Sequence, residues 1–230
     1  MKSLISHVFA LMVGICISNA QSDCSQYYPL EEGATFEYTS YGKKDKVETV
    51  ANYEIVEVTN SGATTKAIMD ITMKDHKGKE IYNTEYRFSC TENKVMIDYE
   101  SLIPASMLEG YKDMEMEISG TDIELPNNLS VGQELEDANV AVKISMGGMN
   151  MNMSVDQINR KVEKQESVTT PAGTFDCMVI TNDTKSKMMM ANQTFSSRLW
   201  LAEGVGMVKQ ETFNKNGKLM GSTVLTAYSR

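Results

Sequence analysis

Apolar and polar side chains alternate with a period of two between Val140 and Val155, on either side of Gly147-Gly148. This period is typical of a β-strand with one buried face, and a two-residue Gly-Gly loop favours a tight hairpin. The apolar side chains pair across the predicted hairpin as Met146 with Met149, Ile144 with Met151, Val142 with Met153, and Val140 with Val155. Because a slip of one residue would mix the two faces, the pattern also predicts the register.

Short alternating segments separated by turn residues make up most of the remaining chain. Hairpin turns are predicted where Gly, Asn, Asp and Lys cluster, at 42–45, 75–78 and 214–217. Val95, Ile97 and Tyr99 alternate as a further strand, and 101–111 is predicted as a short helical or irregular crossover. We therefore predict an all-β fold, a single antiparallel, strongly curved sheet or open barrel of roughly ten strands.

The first twenty residues have the pattern of a signal peptide. Met1-Lys2 is followed by an apolar run from Leu4 to Ile17 and then by Ser18-Asn19-Ala20, whose small residues favour cleavage before Gln21. The run is shorter than the ~20 residues that span a bilayer. We predict a signal peptide over 1–20 and a single β domain over 21–230, secreted or periplasmic, with no stable membrane insertion after cleavage.

The charge and the residue types argue against several functions. The net charge is -9 without a Lys/Arg cluster in the sequence, which disfavours nucleic-acid binding because phosphate contacts supply most of that affinity. Of the two histidines, only His76 follows the predicted cleavage site, and it falls in a turn. Sequence motifs of nucleophilic, phosphate-binding or zinc-dependent enzymes are absent. We therefore expect no enzyme activity, no catalytic residues, no metal and no cofactor.

Three cysteines remain after the predicted cleavage, and export permits disulfides. Cys24, Cys90 and Cys177 allow three single pairings, each of which leaves one free thiol. We favour Cys24–Cys90, which would tie the N-terminus to a strand. Cys177 lies in the apolar segment 175–180 and is expected to be a buried thiol, because the adjacent Asp176 would oppose thiolate formation.

Eighteen methionines are unusual, and several of them cluster in the predicted hairpin. Three interpretations remain open: a thioether site for Cu(I), plain core packing, and the adaptable wall of an apolar cavity. The neighbouring Val and Ile on the same face favour packing or a cavity wall over copper. The hypothetical ligand-binding set is Val142, Ile144, Met146, Met149, Met151 and Met153.

Three segments carry a resemblance to a known family. They are Cys24-Ser25-Gln26-Tyr27-Tyr28-Pro29 with Glu32-Gly33-Ala34, Thr170-Pro171-Ala172-Gly173-Thr174-Phe175-Asp176-Cys177, and Ala202-Glu203-Gly204-Val205-Gly206-Met207-Val208-Lys209. In the order and spacing of these three segments, the mature chain resembles the TapB-like family of small exported proteins. The resemblance implies an exported antiparallel β domain, similar in outline to the curved sheets of periplasmic lipoprotein carriers, and it implies no reaction or functional residue.

Two classes of function are compatible with these observations. The first is a binding module whose concave, Met-rich face holds a lipid-like or other apolar molecule. The second is a structural or interaction protein of the cell envelope, with a dry core and an envelope protein as its partner. An empty space behind Ile144, Met146, Met149 and Met151 would favour the first class.

Overall fold

Thirteen β-strands form the part of the chain that this computed structural model describes, which comprises residues 24–103, 114–146, 149–188 and 191–230. The strands are β1 (Thr35–Tyr41), β2 (Val47–Ser61), β3 (Thr64–Asp75), β4 (Glu80–Thr91), β5 (Lys94–Ile97), β6 (Glu115–Thr121), β7 (Ile123–Pro126), β8 (Ala138–Met146), β9 (Met149–Thr170), β10 (Gly173–Met188), β11 (Ala191–Ala202), β12 (Gly206–Asn214) and β13 (Leu219–Ser229). Short 3-10 segments lie at Lys43–Asp45 and Tyr99–Leu102. Within these residues, helices of the length and apolar character needed to cross a membrane are absent.

All thirteen strands belong to one antiparallel sheet, in the order β6-β8-β9-β10-β11-β12-β13-β1-β2-β3-β4-β5-β7. The first and last strands in this order, β6 and β7, are separated in the chain by Asp122 alone. The chain therefore pairs with β8 before Asp122 and with β5 after it. This change of neighbour brings the two ends of the sheet into a single run of chain, so the sheet is nearly closed on itself.

A buried arginine links β9 to β7, where the two ends of the sheet come together. Arg160 of β9 is only 5% exposed, and its guanidinium donates to the backbone oxygens of Glu124 in β7 and of Glu136. Burial lowers the pKa of Arg160, and the nearby Asp137 and Glu124 carboxylates oppose that shift. The carbonyl partners matter because a buried charge without hydrogen bonds is very costly. Arg160 thus connects strands from opposite ends of the sheet order.

The main core lies between the sheet and the N-terminal segment 24–34, which we call the strap. Members of the main core include Phe36, Ile55, Phe88, Val95, Val162, Leu201 and Leu225, all of them buried. The strap is fixed at several points, since Cys24 is disulfide-bonded to Cys90 and the Gln26 amide donates to Asn127 Oδ1 at 2.9 Å. The Gly204 amide donates to the Gln26 oxygen at 2.8 Å, so the strap crosses from β4 to the turn between β11 and β12.

The structure confirms the fold class and the hairpin register. β8 and β9 pair Ile144 with Met151, Val142 with Met153, and Val140 with Val155, as the alternation predicts. The loop Gly147-Gly148 and most of the predicted 101–111 crossover lie outside the described residues, as does the predicted signal peptide. Cys24 and Cys90 form the predicted disulfide, and Cys177 is a buried free thiol.

Two predictions about the strands are corrected by the structure. The sheet has thirteen strands rather than roughly ten, because short strands such as β5 and β7 complete it. Tyr99, predicted to lie in a strand, instead begins the 3-10 segment Tyr99–Leu102. The Asp98 side chain accepts a hydrogen bond from the Glu100 amide at 2.9 Å, which favours a turn over continued pairing.

Candidate functional site

The candidate site is the apolar face that β6, β8 and β9 share, here called the Met-rich face. Cross-strand register places eight side chains on it: Met116, Ile118, Val140, Val142, Ile144, Met151, Met153 and Val155. Together with Ile103, Tyr99 and Met114 they form an apolar cluster that is separate from the main core. Every side chain of the face is apolar, so any molecule bound against it would have to be apolar at the point of contact.

The structure brings most of the predicted ligand-binding residues together on this face. Val142 and Met153 are buried and Ile144 is fully buried, while Met151 is half-buried and packs against the same cluster. Met146 and Met149 are backbone partners at the end of the hairpin, but their side chains lie outside the described residues. The hypothesis that the set binds a ligand is not tested by this arrangement and stays a prediction.

A short segment covers the Met-rich face. Ile103 is buried in the cluster, and the Tyr99 ring lies directly over Gly120 of β6. A Cβ atom added at Gly120 would collide with the backbone oxygen of Asn139 and would lie 2.8 Å from the Tyr99 ring, closer than carbon atoms can pack. Glycine at this position therefore lets the ring seat against the sheet. We call residues 99–103 the cover.

Polar contacts fix both ends of the cover. The Tyr99 amide donates to Asp122 Oδ1 at 3.1 Å, at the residue where the chain passes from β6 to β7. The Ile103 amide donates to the Glu100 oxygen at 3.0 Å, which closes the 3-10 turn. Between these ends, the Glu100 amide donates to Asp98 Oδ1 at 2.9 Å and the Ser101 amide donates to the Asp98 oxygen at 3.0 Å, so the turn is held from Asp98 to Ile103.

The opposite face of the same strands is polar and meets water. Lys143 is exposed and lies 3.8 Å from Glu117 of β6, a distance that gives a weak surface ion pair. Asn152 is also exposed. The segregation of charge to this face confirms the two-faced hairpin that the alternation predicts.

Sequence reasoning missed a group of aromatic residues in the main core. The Tyr38 and Tyr53 rings meet edge to face with centroids 4.9 Å apart, and the Tyr28 and Phe88 rings are 5.5 Å apart. Burial raises the pKa of Tyr28 to about 12, the nearby Tyr86 adds to the rise and Arg160 opposes it. The tyrosines are therefore neutral packing groups. Only the strand directions bring them together, so no local signal in the sequence could have found them.

A polar recess of about 370 Å³ was also missed. On its wall, Asp183 accepts hydrogen bonds from Ser196 Oγ at 2.7 Å and Asn159 Nδ2 at 2.9 Å. The hydrogen bond from Asn159 and then that from Ser196 lower the pKa of Asp183. Asn159 adopts a positive φ of 55° at an irregularity in the β9–β10 pairing, which swings its amide toward the carboxylate. Because both oxygens of Asp183 have partners, this carboxylate is held ionised and is a poor general base.

The surroundings of the buried Cys177 side chain favour its unreactive thiol form. Burial, with the Asp176 and Glu166 carboxylates, raises the pKa of the Cys177 thiol to about 11, which disfavours the reactive thiolate. Across the described ranges 24–103, 114–146, 149–188 and 191–230, clusters of three or more His, Cys, Asp or Glu side chains suited to a metal ion are absent.

Comparison with known proteins places the chain in a family. The sequence pattern of the DUF3108-like family matches residues 31–225. The chain belongs to the DUF3108-like family. The finer TapB-like resemblance stays a prediction. No curated protein sequence matches this DUF3108-like chain.

Two solved structures resemble this DUF3108-like protein in fold. A candidate exported protein with a YmcC-like fold from Bacteroides fragilis has a TM-score of 0.71 at 17% identity. A candidate lipoprotein from Parabacteroides distasonis has a TM-score of 0.73 at 23% identity. Each comparison covers 90% of this chain and 100% of the other, so the likeness shows a shared fold over almost the whole sheet.

The segments that carry the TapB-like resemblance meet at one end of this DUF3108-like fold. Gly206, with a positive φ of 86°, lies against the Tyr28 ring of the strap. Tyr27 of the strap lines a recess with Thr174 and Glu203 from the other two segments. The three segments therefore pack together and hold the strap at this end of the sheet.

Proposed function

We propose that this protein is an exported, non-enzymatic binding module that holds a lipid-like or other apolar molecule between the Met-rich face and its cover. The observation that carries the proposal is the second apolar cluster, which is separate from the main core and bounded on one side by a short irregular segment.

The edge of the cluster supports a binding role. Met116, Ile118, Met151 and Val155 are only partly buried although they pack against fully buried neighbours. Apolar surface left partly open beside a core is a feature of ligand sites. Methionine is suited to such a wall because its unbranched, polarisable side chain adapts to contents of different shapes.

The second candidate function is a structural or interaction protein of the cell envelope. One observation favours it: Val140, Val142 and Ile144 are fully or almost fully covered by protein atoms alone. A ligand would therefore contact the outer part of the cluster, around Met116 and Met151, unless the cover moves. The binding candidate predicts that the purified protein carries a lipid, whereas the structural candidate predicts that it carries none.

The test measures an apolar probe and co-purified lipid. Native mass spectrometry and solvent extraction of the exported protein should detect a bound lipid, and N-phenyl-1-naphthylamine should gain fluorescence on binding. Met116→Gln/Met151→Gln should weaken probe binding at least tenfold, because burying a methionine side chain contributes roughly 1.5–3 kcal/mol.

The matched control is Met178→Gln, which makes the same change at a half-buried methionine packed on the main core. It should leave probe binding unchanged. Absence of both lipid and probe binding in the unmodified protein would contradict the binding proposal and favour the envelope interaction role. An equal loss in the control would also contradict the assigned site.

A further inference from the structure

Lysines gather at one end of the sheet. The turns that connect β1 to β2, β3 to β4 and β12 to β13 lie at the same end, because the strands alternate in direction. These turns, residues 42–46, 76–79 and 215–218, contain seven exposed lysines: Lys43, Lys44, Lys46, Lys77, Lys79, Lys215 and Lys218. Asp45 is their single acidic residue. Adding the flanking Asp75 and Glu80, and Glu48 whose carboxylate lies against Gly42, leaves seven lysines against four carboxylates, a net charge of +3. We call these three turns the lysine end.

The opposite end of the sheet has the reverse charge. Its described connections are the strap and residues 62–63, 92–93, 127–137, 171–172 and 203–205. They contain seven carboxylates and no lysine or arginine: Glu31, Glu32, Glu92, Glu134, Glu136, Asp137 and Glu203. The nearby Arg230 and Lys94 each already pair with a carboxylate, Arg230 with Glu31 at 4.0 Å and Lys94 with Glu124 at 2.8 Å.

Turn chemistry does not account for this difference. A tight turn needs Gly, Asn or Asp at particular backbone positions, as at Gly78 and Gly217, both of which have positive φ. The same requirement holds at the opposite end, where Gly62 and Gly204 also have positive φ. Because both ends need similar backbone conformations, the opposite charges are a separate property of the two surfaces.

Exposed apolar side chains accompany the lysines. Leu219 is 46% exposed and Met220 is 51% exposed, and both directly follow Lys218. Val47 directly follows Lys46, and Ile81 lies two residues after Lys79; these side chains are likewise exposed. The first strand residues of β13 adjoin the 42–46 turn, since a Cβ at Gly221 would lie 2.9 Å from the Tyr41 oxygen. The apolar side chains and the lysines therefore form one continuous rim.

We infer that the lysine end docks onto an anionic phospholipid membrane surface. Lysines near such a surface are attracted to its lipid phosphates, while neighbouring apolar side chains enter the boundary between headgroups and acyl chains. The rim offers both kinds of side chain on hairpin tips, where they reach a flat surface without obstruction. The protein would lie on the membrane without crossing it.

The overall net charge of -9 does not prevent this docking. Interactions between exposed charges are largely screened beyond the Debye length of about 8 Å at physiological salt. β2 has 15 residues, which at ~3.4 Å per residue is roughly 50 Å of chain between the two ends. The acidic end is therefore several Debye lengths from a membrane that touches the lysine end. A molecule that approached with its acidic end first would be repelled, so the charge distribution favours approach with the lysine end toward the surface.

This inference does not depend on the proposed ligand. The hairpin of β8 and β9 reaches the same end of the sheet as the lysine turns, so docking would bring the Met-rich face close to lipid. A protein that bound no lipid in its interior could still dock through the rim. The two proposals therefore fail separately, one in the probe assay and the other in a vesicle assay.

The test is co-sedimentation of the exported protein with vesicles. Vesicles of equal parts phosphatidylglycerol and phosphatidylcholine should bind the protein at low salt and release it at high salt, whereas pure phosphatidylcholine vesicles should not bind it. Lys215→Gln/Lys218→Gln should weaken binding about 30-fold, because each lysine near an anionic surface contributes about 1 kcal/mol. Leu219→Ser/Met220→Ser should weaken binding at low salt without changing how steeply binding falls with added salt, since the apolar contribution is not screened.

The matched control is Lys66→Gln/Lys161→Gln, which removes the same charge from exposed lysines outside the rim. This variant should bind like the unmodified protein. An equal loss in the control, unchanged binding by Lys215→Gln/Lys218→Gln, or no binding to anionic vesicles would each overturn the inference. Light scattering that detected head-to-tail polymers of the protein without vesicles would also overturn the inference, because the lysine end would then bind the acidic end of a second copy.

Discussion

Reduction of the Cys24–Cys90 disulfide should destabilise the protein without unfolding it. The bond joins residues 66 positions apart, and for a loop of this length the chain-entropy model predicts about 4 kcal/mol of stability. The hydrogen bonds that join the strap to Asn127 and Gly204 do not involve the disulfide, so they should persist when it is reduced. The folded state should therefore retain its shape, and the loss should come from the greater freedom of the unfolded chain.

Urea unfolding with and without a reductant measures this loss. With a slope near 2.7 kcal/mol per molar urea, a loss of 4 kcal/mol lowers the midpoint by about 1.5 M. Cys24→Ser/Cys90→Ser serves as the control, because its midpoint should match that of the reduced protein and should not respond to reductant. A shift below about 0.5 M, or roughly 1 kcal/mol, would refute the entropic reasoning and indicate that the unfolded chain is already restrained.

Two substitutions test other parts of the structure. Gly120→Ala should destabilise the fold by roughly 1–3 kcal/mol in urea unfolding, because the new methyl group collides with the Asn139 backbone oxygen and with the Tyr99 ring. A neutral result would contradict this close packing at Gly120. Hydrogen bonds from Lys164 and then from Trp200 lower the pKa of Glu166 in the folded protein. The stability that this carboxylate contributes is therefore fully present above its unfolded pKa of about 4.3, and it is lost as the pH falls through the lower folded pKa. Fluorescence of Trp200, the sole tryptophan, should therefore show an acid transition that Glu166→Gln removes, and a transition that persists in the variant would refute this assignment.

The hairpin was predictable because its evidence is local. Val142 faces the cluster and Lys143 faces water, as a period of two requires, and the strict alternation around the two glycines left one register that kept the faces apart. The Cys24–Cys90 bond was a choice among three pairings. It is explained by the strap, whose path the sequence did not reveal.

The features that were missed depend on distant parts of the chain. Tyr99 continues an alternating pattern, yet the Asp98 side chain diverts the backbone into a turn, a competition that a simple period does not show. β7 has only four residues and ends at Pro126, so it is recognisable only once β5 is present beside it. The lysine end is likewise invisible in the sequence, because its turns are far apart in the chain and are gathered only by the alternating strand directions.

The way the sheet closes determines when the protein can finish folding. β1, the first strand, has β13, the last strand, as one of its two partners, so a chain that emerges N-terminus first waits for almost its whole length before that edge is paired. Such distant pairings form slowly, and an unpaired edge is a template for aggregation in the meantime. Completion of the sheet is therefore a late event, after the last strand has been delivered. A chaperone that binds the incompletely folded chain would therefore protect it most before β13 pairs with β1.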